Sequence, residues 1–478
     1  GGFDIGADRL IFGPYRDPFA GTMEMWVDYT PRHAEYMDEA ELCATCHTLF
    51  TPFLDDDGEI AGEFPEQAPY LEWLNSNYFD EDISCQNCHM PRSEGAVVIA
   101  SMPRNRPARS PFWKHFFVGG NVLLLEMLRD NVDELELSTS ESLLDSTIAR
   151  TLNNLQNEAV DLDISTEFRD DSLDITVHVS NQNVGHKFPT GIPIRRMWIH
   201  LTATDENDNI IFESGNWDEA GEIVGLDSLY ETHYDYIDNP NEVQIYEPIM
   251  HDINGDLTFT FLRAAGYLKD NRLPPRGFSS DFEFYEHISI SGMANDDPDF
   301  NREGEERGTG IDIVHYRIPA ASMVEVELCY QSVMPRFIEH LSQFETVEVE
   351  SFANMYREQD NVPVIIESVT VEVPNSVEKD FIEINPAGFA LHPSYPNPFN
   401  SSTEISFSLS TLTKVELLIV DLSGREVKSL HFGQTQAGTY HFSWDGANSN
   451  GIKATSGLYF IRLITSRGRD LKKVVFLG

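Results

Sequence analysis

One five-residue motif occurs twice in this chain and constrains it more than any other feature: Cys43-Ala-Thr-Cys46-His47 and Cys85-Gln-Asn-Cys88-His89. The spacing C-x-x-C-H reads as c-type haem attachment. Two thiols three positions apart can form thioethers to the two vinyl groups of one haem. The adjacent histidine then lies beneath the macrocycle, where it can bind iron as the proximal ligand. A structural zinc site built from two CxxC pairs would not need a histidine directly after each pair. A thioredoxin-like pair is usually single and sits in a βαβ context, which the sequence lacks. Ordinary disulfides are compatible with an exported protein. Four of the five cysteines fall in the motifs. The reading is therefore two covalent haems c, with Cys43, Cys46, Cys85 and Cys88 as thioether sites and His47 and His89 on iron. The fifth, Cys329, lies in the alternating run Val324–Tyr330 and reads as a buried strand residue.

Length and charge set the frame around those motifs. At about 150 residues per domain, 478 residues suggest roughly three domains. The net charge is −46, which repels nucleic acid and anionic lipid and argues against a polyanion-binding role. The apolar runs at 94–100 and 121–128 are too short to span a bilayer. The chain opens Gly-Gly with neither a methionine nor a secretory leader, as a processed form or a piece of a longer chain would. Charge is also uneven: from Ala390 onward nine basic and six acidic residues give +3, which leaves −49 for the first 389 residues.

The pattern divides the chain into a dihaem domain at 1–159, irregular and partly helical, and a β-sandwich at 160–374 with a long insertion near 215–310. A linker at 375–389 and an all-β, Ig-like module at 390–478 follow, so the expected class is multidomain α+β. Residues 1–120 are rich in Pro, Gly and aromatics, as suits a chain wrapped on large cofactors. Helices are expected at 121–131 and, behind a capping box of Ser138 and Glu141, through Leu144, Ile148, Leu152 and Leu155. Strands are expected at 173–179, 197–204, 210–212, 257–262, 323–330 and 364–373, then at 403–409, 413–421, 438–444 and 457–465.

Each iron needs a sixth ligand or an open position. His115 is flanked by Trp113, Phe116 and Phe117, large aromatics suited to pack on a porphyrin. His186 sits in Gly185-His186-Lys-Phe-Pro-Thr-Gly191, a loop bounded by Gly and Pro between two strands, from which an imidazole can be projected in a fixed direction. His33, ten residues before Cys43, is a further distal candidate. Met102 and Met127 read as core residues.

Several stretches of the first 374 residues resemble a family of multihaem c-type cytochromes: Glu41-Leu-Cys-Ala-Thr-Cys-His47, Phe64-Pro-Glu-Gln-Ala-Pro-Tyr-Leu-Glu-Trp73, Cys85-Gln-Asn-Cys-His-Met-Pro91, His115-Phe-Phe-Val-Gly-Gly-Asn121, Asn183-Val-Gly-His-Lys-Phe-Pro-Thr-Gly191 and Lys269-Asp-Asn-Arg-Leu-Pro-Pro-Arg-Gly-Phe278. The resemblance implies an electron carrier in which a β-rich domain lends a ligand to a haem-binding segment. Relatives often carry further haem motifs upstream. The C-terminal module resembles a type IX secretion (Por system) sorting domain through Tyr395-Pro-Asn-Pro-Phe-Asn400, Asp421-Leu-Ser-Gly424, Ala437-Gly438, Trp444-Asp-Gly446, Ser456-Gly-Leu-Tyr-Phe460 and Lys472-Lys473. That implies passage through the periplasm, export by the type IX machinery and a secreted or cell-surface location.

The functional expectation is outer-sphere electron transfer to redox partner proteins or extracellular acceptors, with no side chain acting as acid or base. A reductase of small nitrogen or sulfur oxyanions is the enzymatic alternative. It needs an open iron position and nearby donors, for which Arg195, Arg196, Tyr234 and His251 are candidates. The acidic surface disfavours anions, and the chain has no CxxCK variant. A surface structural or adhesion protein with haem is the third class.

Overall fold

The computed structural model describes residue 6 and residues 8–478, except 101–103, 105, 170, 182, 227–229, 374–388, 393, 410, 421–424, 437, 450–451 and 466–467. The expected linker, the Asp421–Gly424 motif, Ala437 and Met102 therefore fall wholly or almost wholly outside the described residues. The chain forms two compact units, Gly1–Pro374 and Asn375–Gly478. It is multidomain and built mostly of strands, with a minority of helices.

The centre of the first unit is a pair of sheets closed over one apolar core. Strands Asp161–Arg169, Ser172–Ser180, Ile311–Pro319 and Tyr236–Ile237 form one sheet. Strands Ile245–Tyr246, Arg196–Thr204, Met323–Gln331 and Val364–Glu372 form the other, with Ile210–Ser214 paired to Arg196–Thr204. Alternation explains the packing, because successive side chains of a strand face opposite sides. Leu173, Ile175, Val177 and Val179 point inward from one sheet, and Val324, Val326 and Leu328 meet them from the other. Cys329, one position on, faces the opposite side, buried with Trp198 and Ile245.

Helices cover this core where the sequence periodicity expects them. Val122–Asp130 is capped by Asn121, whose side chain accepts from the Leu124 amide. Glu141–Glu158 places Ile148 and Leu155 in the same core as the sheets. Its N-cap is Ser140 rather than Ser138, so the expected capping box is not formed. The strand expected at 257–262 is also absent: Leu257 makes one isolated bridge to His251, and Phe261–Arg263 is a turn of 3-10 helix.

The described residues up to 120 form short pieces: helices of three to eight residues, and two-stranded sheets Leu10–Gly13 with Thr30–His33 and Leu49–Leu54 with Ile60–Gln67. Each CxxCH motif begins in a one-turn helix, Glu41–Ala44 or Cys85–His89. Long-range bonds hold these turns. Gln86 donates to the Glu39 carbonyl, and the Trp113 indole donates to Asp38.

The second unit packs Phe389–Leu391, Thr403–Leu409 and Gly438–Trp444 as one sheet. Glu426–Thr435, Thr413–Val420, Gly457–Thr465 and Gly468–Phe476 form the other. Both contribute to a core around Trp444, Phe407, Leu417, Ile461 and Phe476. The sequence motifs have structural work here. Asn397 exchanges hydrogen bonds with Val475 and Lys473, which docks the Tyr395–Asn400 segment on the last strand. Gly446 has φ +73°, and a Cβ there would run into the Phe476 ring, so only glycine suits the Trp444-Asp-Gly turn.

Candidate haem sites

The clearest geometry lies between the second motif and the Gly-His-Lys-Phe-Pro-Thr-Gly loop. The His89 and His186 rings have centroids 6.2 Å apart and planes within 18° of parallel. Metal–imidazole bonds are about 2 Å long, so two histidines on opposite faces of one iron hold their ligating nitrogens about 4 Å apart and their ring centres on the order of 6 Å apart. The second ring nitrogens are already engaged. His89 Nδ1 bonds to the Val118 carbonyl, and His186 Nδ1 bonds to the Lys187 carbonyl at 3.0 Å. A neutral imidazole that donates its Nδ1 proton to a carbonyl presents a bare Nε2, the arrangement metal-binding histidines adopt. Burial, then the neighbouring His89, lowers the His186 ring to about 4, which keeps it neutral. The residues present fit a bis-histidine haem.

The loop that carries His186 is packed against the segment between the two motifs. A Cβ on Gly185 would lie 3.2 Å from both Trp73 and Tyr78, so glycine allows the backbone to approach two aromatic rings. Trp73 is itself fixed by donating to the Ile83 carbonyl. Asn181 donates to the carbonyls of His186 and Leu273, and Phe188 and Leu273 form a backbone bridge.

A buried charge cluster lies immediately behind His186. The Lys187 ammonium, 0% exposed, pairs with Asp270 at 2.7 Å; Arg272 pairs with Asp270 at 2.8 Å and with Glu72 at 3.2 Å. Glu72 Oε2 also accepts from the Lys187 amide and the Thr190 hydroxyl, each at 3.0 Å. Burial by itself would raise the Asp270 carboxyl, but Arg272 and Lys187 outweigh it and hold the group at about 2. Sequence reading missed Glu72, Asp270 and Arg272 as site residues. The only signal was that two of the quoted stretches, 64–73 and 269–278, contain them.

The first motif is differently placed. The Cys43 and Cys85 side chains interact, and this interaction pulls Cys43 down to about 7 and pushes Cys85 up. The leading cysteines of the two motifs are thus neighbours in space. His47 is exposed, and among the described residues no aromatic ring faces it as His186 faces His89. His115 is exposed with its ring against Phe117. It belongs to a segment that returns along the second motif, where Lys114 donates to the Pro91 carbonyl and Val118 to that of His89. His33 is half-buried on the strand Thr30–His33. The structure therefore brings His186 to a motif histidine and does not bring His115 or His33 into ring contact with one.

The oxyanion-site candidates are each engaged in their own hydrogen bonds. Arg195 donates to the Thr190 carbonyl, Arg196 binds Gln331 and Gly221, Tyr234 donates to Glu231, and His251 bonds the Asp252 carbonyl. Elsewhere, His233, Asp297 and Asp312 form a buried triad of metal-ligating types. The hydrogen bonds there leave no place for a cation on the imidazole. Gln244 and Asn271 both donate amide N–H to His233 Nδ1, and their amide oxygens accept from the Tyr234 and Glu247 amides. His233 Nε2 must then carry the proton, which it gives to Asp297 at 2.7 Å.

Comparison with known proteins adds a domain match. Residues 396–468 match the FlgD Ig-like domain family. Over 55 residues the chain is 38% identical to the basal-body rod modification protein FlgD of Salmonella typhimurium, covering 12% of this chain and 24% of that protein. The chain thus spans about a quarter of the length of the curated relatives it matches. Among solved structures, a penta-heme cytochrome c552 from Thermochromatium tepidum aligns over 78% of this chain and 69% of its own, at 16% identity and a TM-score of 0.42. PorZ, a surface component of the type-IX secretion system of Porphyromonas gingivalis, aligns over 18% of this chain and 11% of its own, at 21% identity and a TM-score of 0.15. No helix among the described residues is long and apolar enough to cross a membrane.

Proposed function

We propose that this chain is an exported c-type cytochrome that carries two covalent haems and passes electrons by outer-sphere transfer at the cell surface or outside the cell. One observation carries the reading: two parallel imidazoles, one from a CxxCH motif and one from the β-domain, stand at the separation one iron requires, each with Nδ1 tied to a carbonyl. Cys43 and Cys46 hold one haem with His47 as proximal ligand. Cys85 and Cys88 would hold the other, with His89 and His186 offering imidazoles to its iron. His115 is assigned as distal ligand to the His47 iron, with His33 as its replacement.

Bound haem supplies one-electron ferric–ferrous chemistry. The chain's own residues hold, orient and shield. The carbonyls of Val118 and Lys187 fix the ring orientations of His89 and His186 and increase their basicity as ligands. Two nitrogen ligands favour a lower potential than a His/Met pair, and an acidic surface stabilises the ferric charge. The nearness of Cys43 and Cys85 would set the two attachment points side by side. No proton transfer is asked of any side chain.

The Ig-like C-terminal unit supports a sorting role, with the type IX machinery as its partner. The test of function is to reduce the purified protein with dithionite and mix it with soluble acceptors, then with nitrite or tetrathionate. Indiscriminate outer-sphere oxidation is expected; saturable turnover of one small substrate would instead assign a reductase.

A further inference from the structure

Four ionised side chains buried in one place need a reason, since desolvating charges is costly even when they pair. Glu72 and Asp270 face Lys187 and Arg272, and all four are nearly inaccessible. They come from three distant stretches of chain: the helix Pro69–Leu74 between the two cysteine motifs, the His186 loop, and the segment 269–278. Glu72 Oε2 accepts from Lys187 N and from Thr190 Oγ1, so one carboxylate oxygen grips the loop on both sides of Phe188-Pro189. Its Oε1 meets Arg272, which Asp270 holds from the other side. Lys187 also donates to the Ser289 carbonyl.

We propose that Glu72, Asp270, Lys187 and Arg272 form a charge clamp that positions the His186 imidazole for iron and sets the potential of that haem, with Glu72 as the positioning residue. This rests on the reading that His89 and His186 share one iron. The clamp has two separable effects. Its hydrogen bonds fix the loop next to the ligand. Its charges, two positive and two negative, sum to zero. Removing one carboxylate charge leaves a buried net positive charge, which disfavours the ferric state and raises the potential of the adjacent haem only.

The test uses the full-length, haem-loaded protein and variants Glu72→Gln, Asp270→Asn, Thr190→Val and, as an exposed control, Glu63→Gln. Spectroelectrochemical titration follows the two haems, and variable-temperature absorption follows spin state. Glu72→Gln and Asp270→Asn are expected to raise one of the two midpoints by about 59 mV, a tenfold shift in the ferric-to-ferrous ratio of a one-electron couple. The other midpoint and the control stay at wild-type values. Thr190→Val, which removes a hydrogen bond and no charge, is expected to leave both midpoints unchanged and to lower the temperature at which one haem turns high-spin. Should the charge variants fail to load haem, Thr190→Val still decides, because an unchanged spin transition overturns the clamp. Equal shifts in both midpoints, or none, also overturn it. His186→Ala separates this outcome from failure of the underlying reading: if that variant keeps both haems low-spin, the shared-iron assignment falls.

Discussion

His186 is held by more of the protein than any other ligand candidate, and its replacement should be the most informative. His186→Ala is expected to convert one haem to a high-spin or water-ligated form in absorption and EPR spectra. His178→Ala, on the neighbouring strand Ser172–Ser180, should change neither haem. At this scale the sequence was legible where a residue's role depends on its immediate neighbours. The CxxCH spacing and the Gly–His–Pro–Gly frame are local patterns with a chemical reason behind them. Glu72 was illegible because its partners are more than a hundred residues away, and in Pro69–Leu74 it has the form of an ordinary helix-surface glutamate. The aromatic neighbours of His115, Phe116 and Phe117, are exposed.

Among elements, the loop at 183–191 depends on close packing and on paired charge. Gly185→Ala would press a methyl group onto Trp73 and Tyr78, and overpacking of this kind costs about 1–3 kcal/mol; urea denaturation of the haem-loaded protein measures it. Asp270→Ala leaves Lys187 and Arg272 buried without their shared partner, at a cost of about 3–5 kcal/mol in the same assay. Asp270 also predicts a pH dependence. Its folded pKa, about 2, lies below the unfolded value of about 3.9, so its contribution is complete above pH 4 and is lost as pH falls towards 2. Asp270→Asn should flatten the acid limb of a stability–pH curve in that window. The strands at 403–409, 438–444 and 457–465 were readable to the residue, because alternation and glycine-marked turns bound them. Strands Glu426–Thr435 and Gly468–Phe476 were not, since charged residues interrupt their apolar rhythm and pairing supplies the order. The misplaced cap at Ser138 shows the same limit, as a short Ser-Thr-Ser run offers several possible starts.

Over the whole molecule, a strongly acidic unit carrying the cysteine motifs is followed by a nearly neutral Ig-like unit with its own core. Deleting 390–478 should leave haem attachment intact and trap the protein within the cell envelope; fractionation with haem staining reads both, and normal surface display of the truncated form would remove the sorting role. Charge balance and strand spacing change together near residue 390, and the chain divides into its two compact units after Pro374. The way residues 8–120 fold was not legible, since a segment of short turns carries little periodicity and takes its shape from long-range bonds such as those of Gln86 and Trp113. The ligation, potential and electron-transfer expectations depend on the cysteines carrying haem. The pyridine haemochrome spectrum of the denatured, purified chain tests that directly: two thioether-linked haems per chain are expected, and a haem-free protein with zinc on its cysteines would contradict the haem reading.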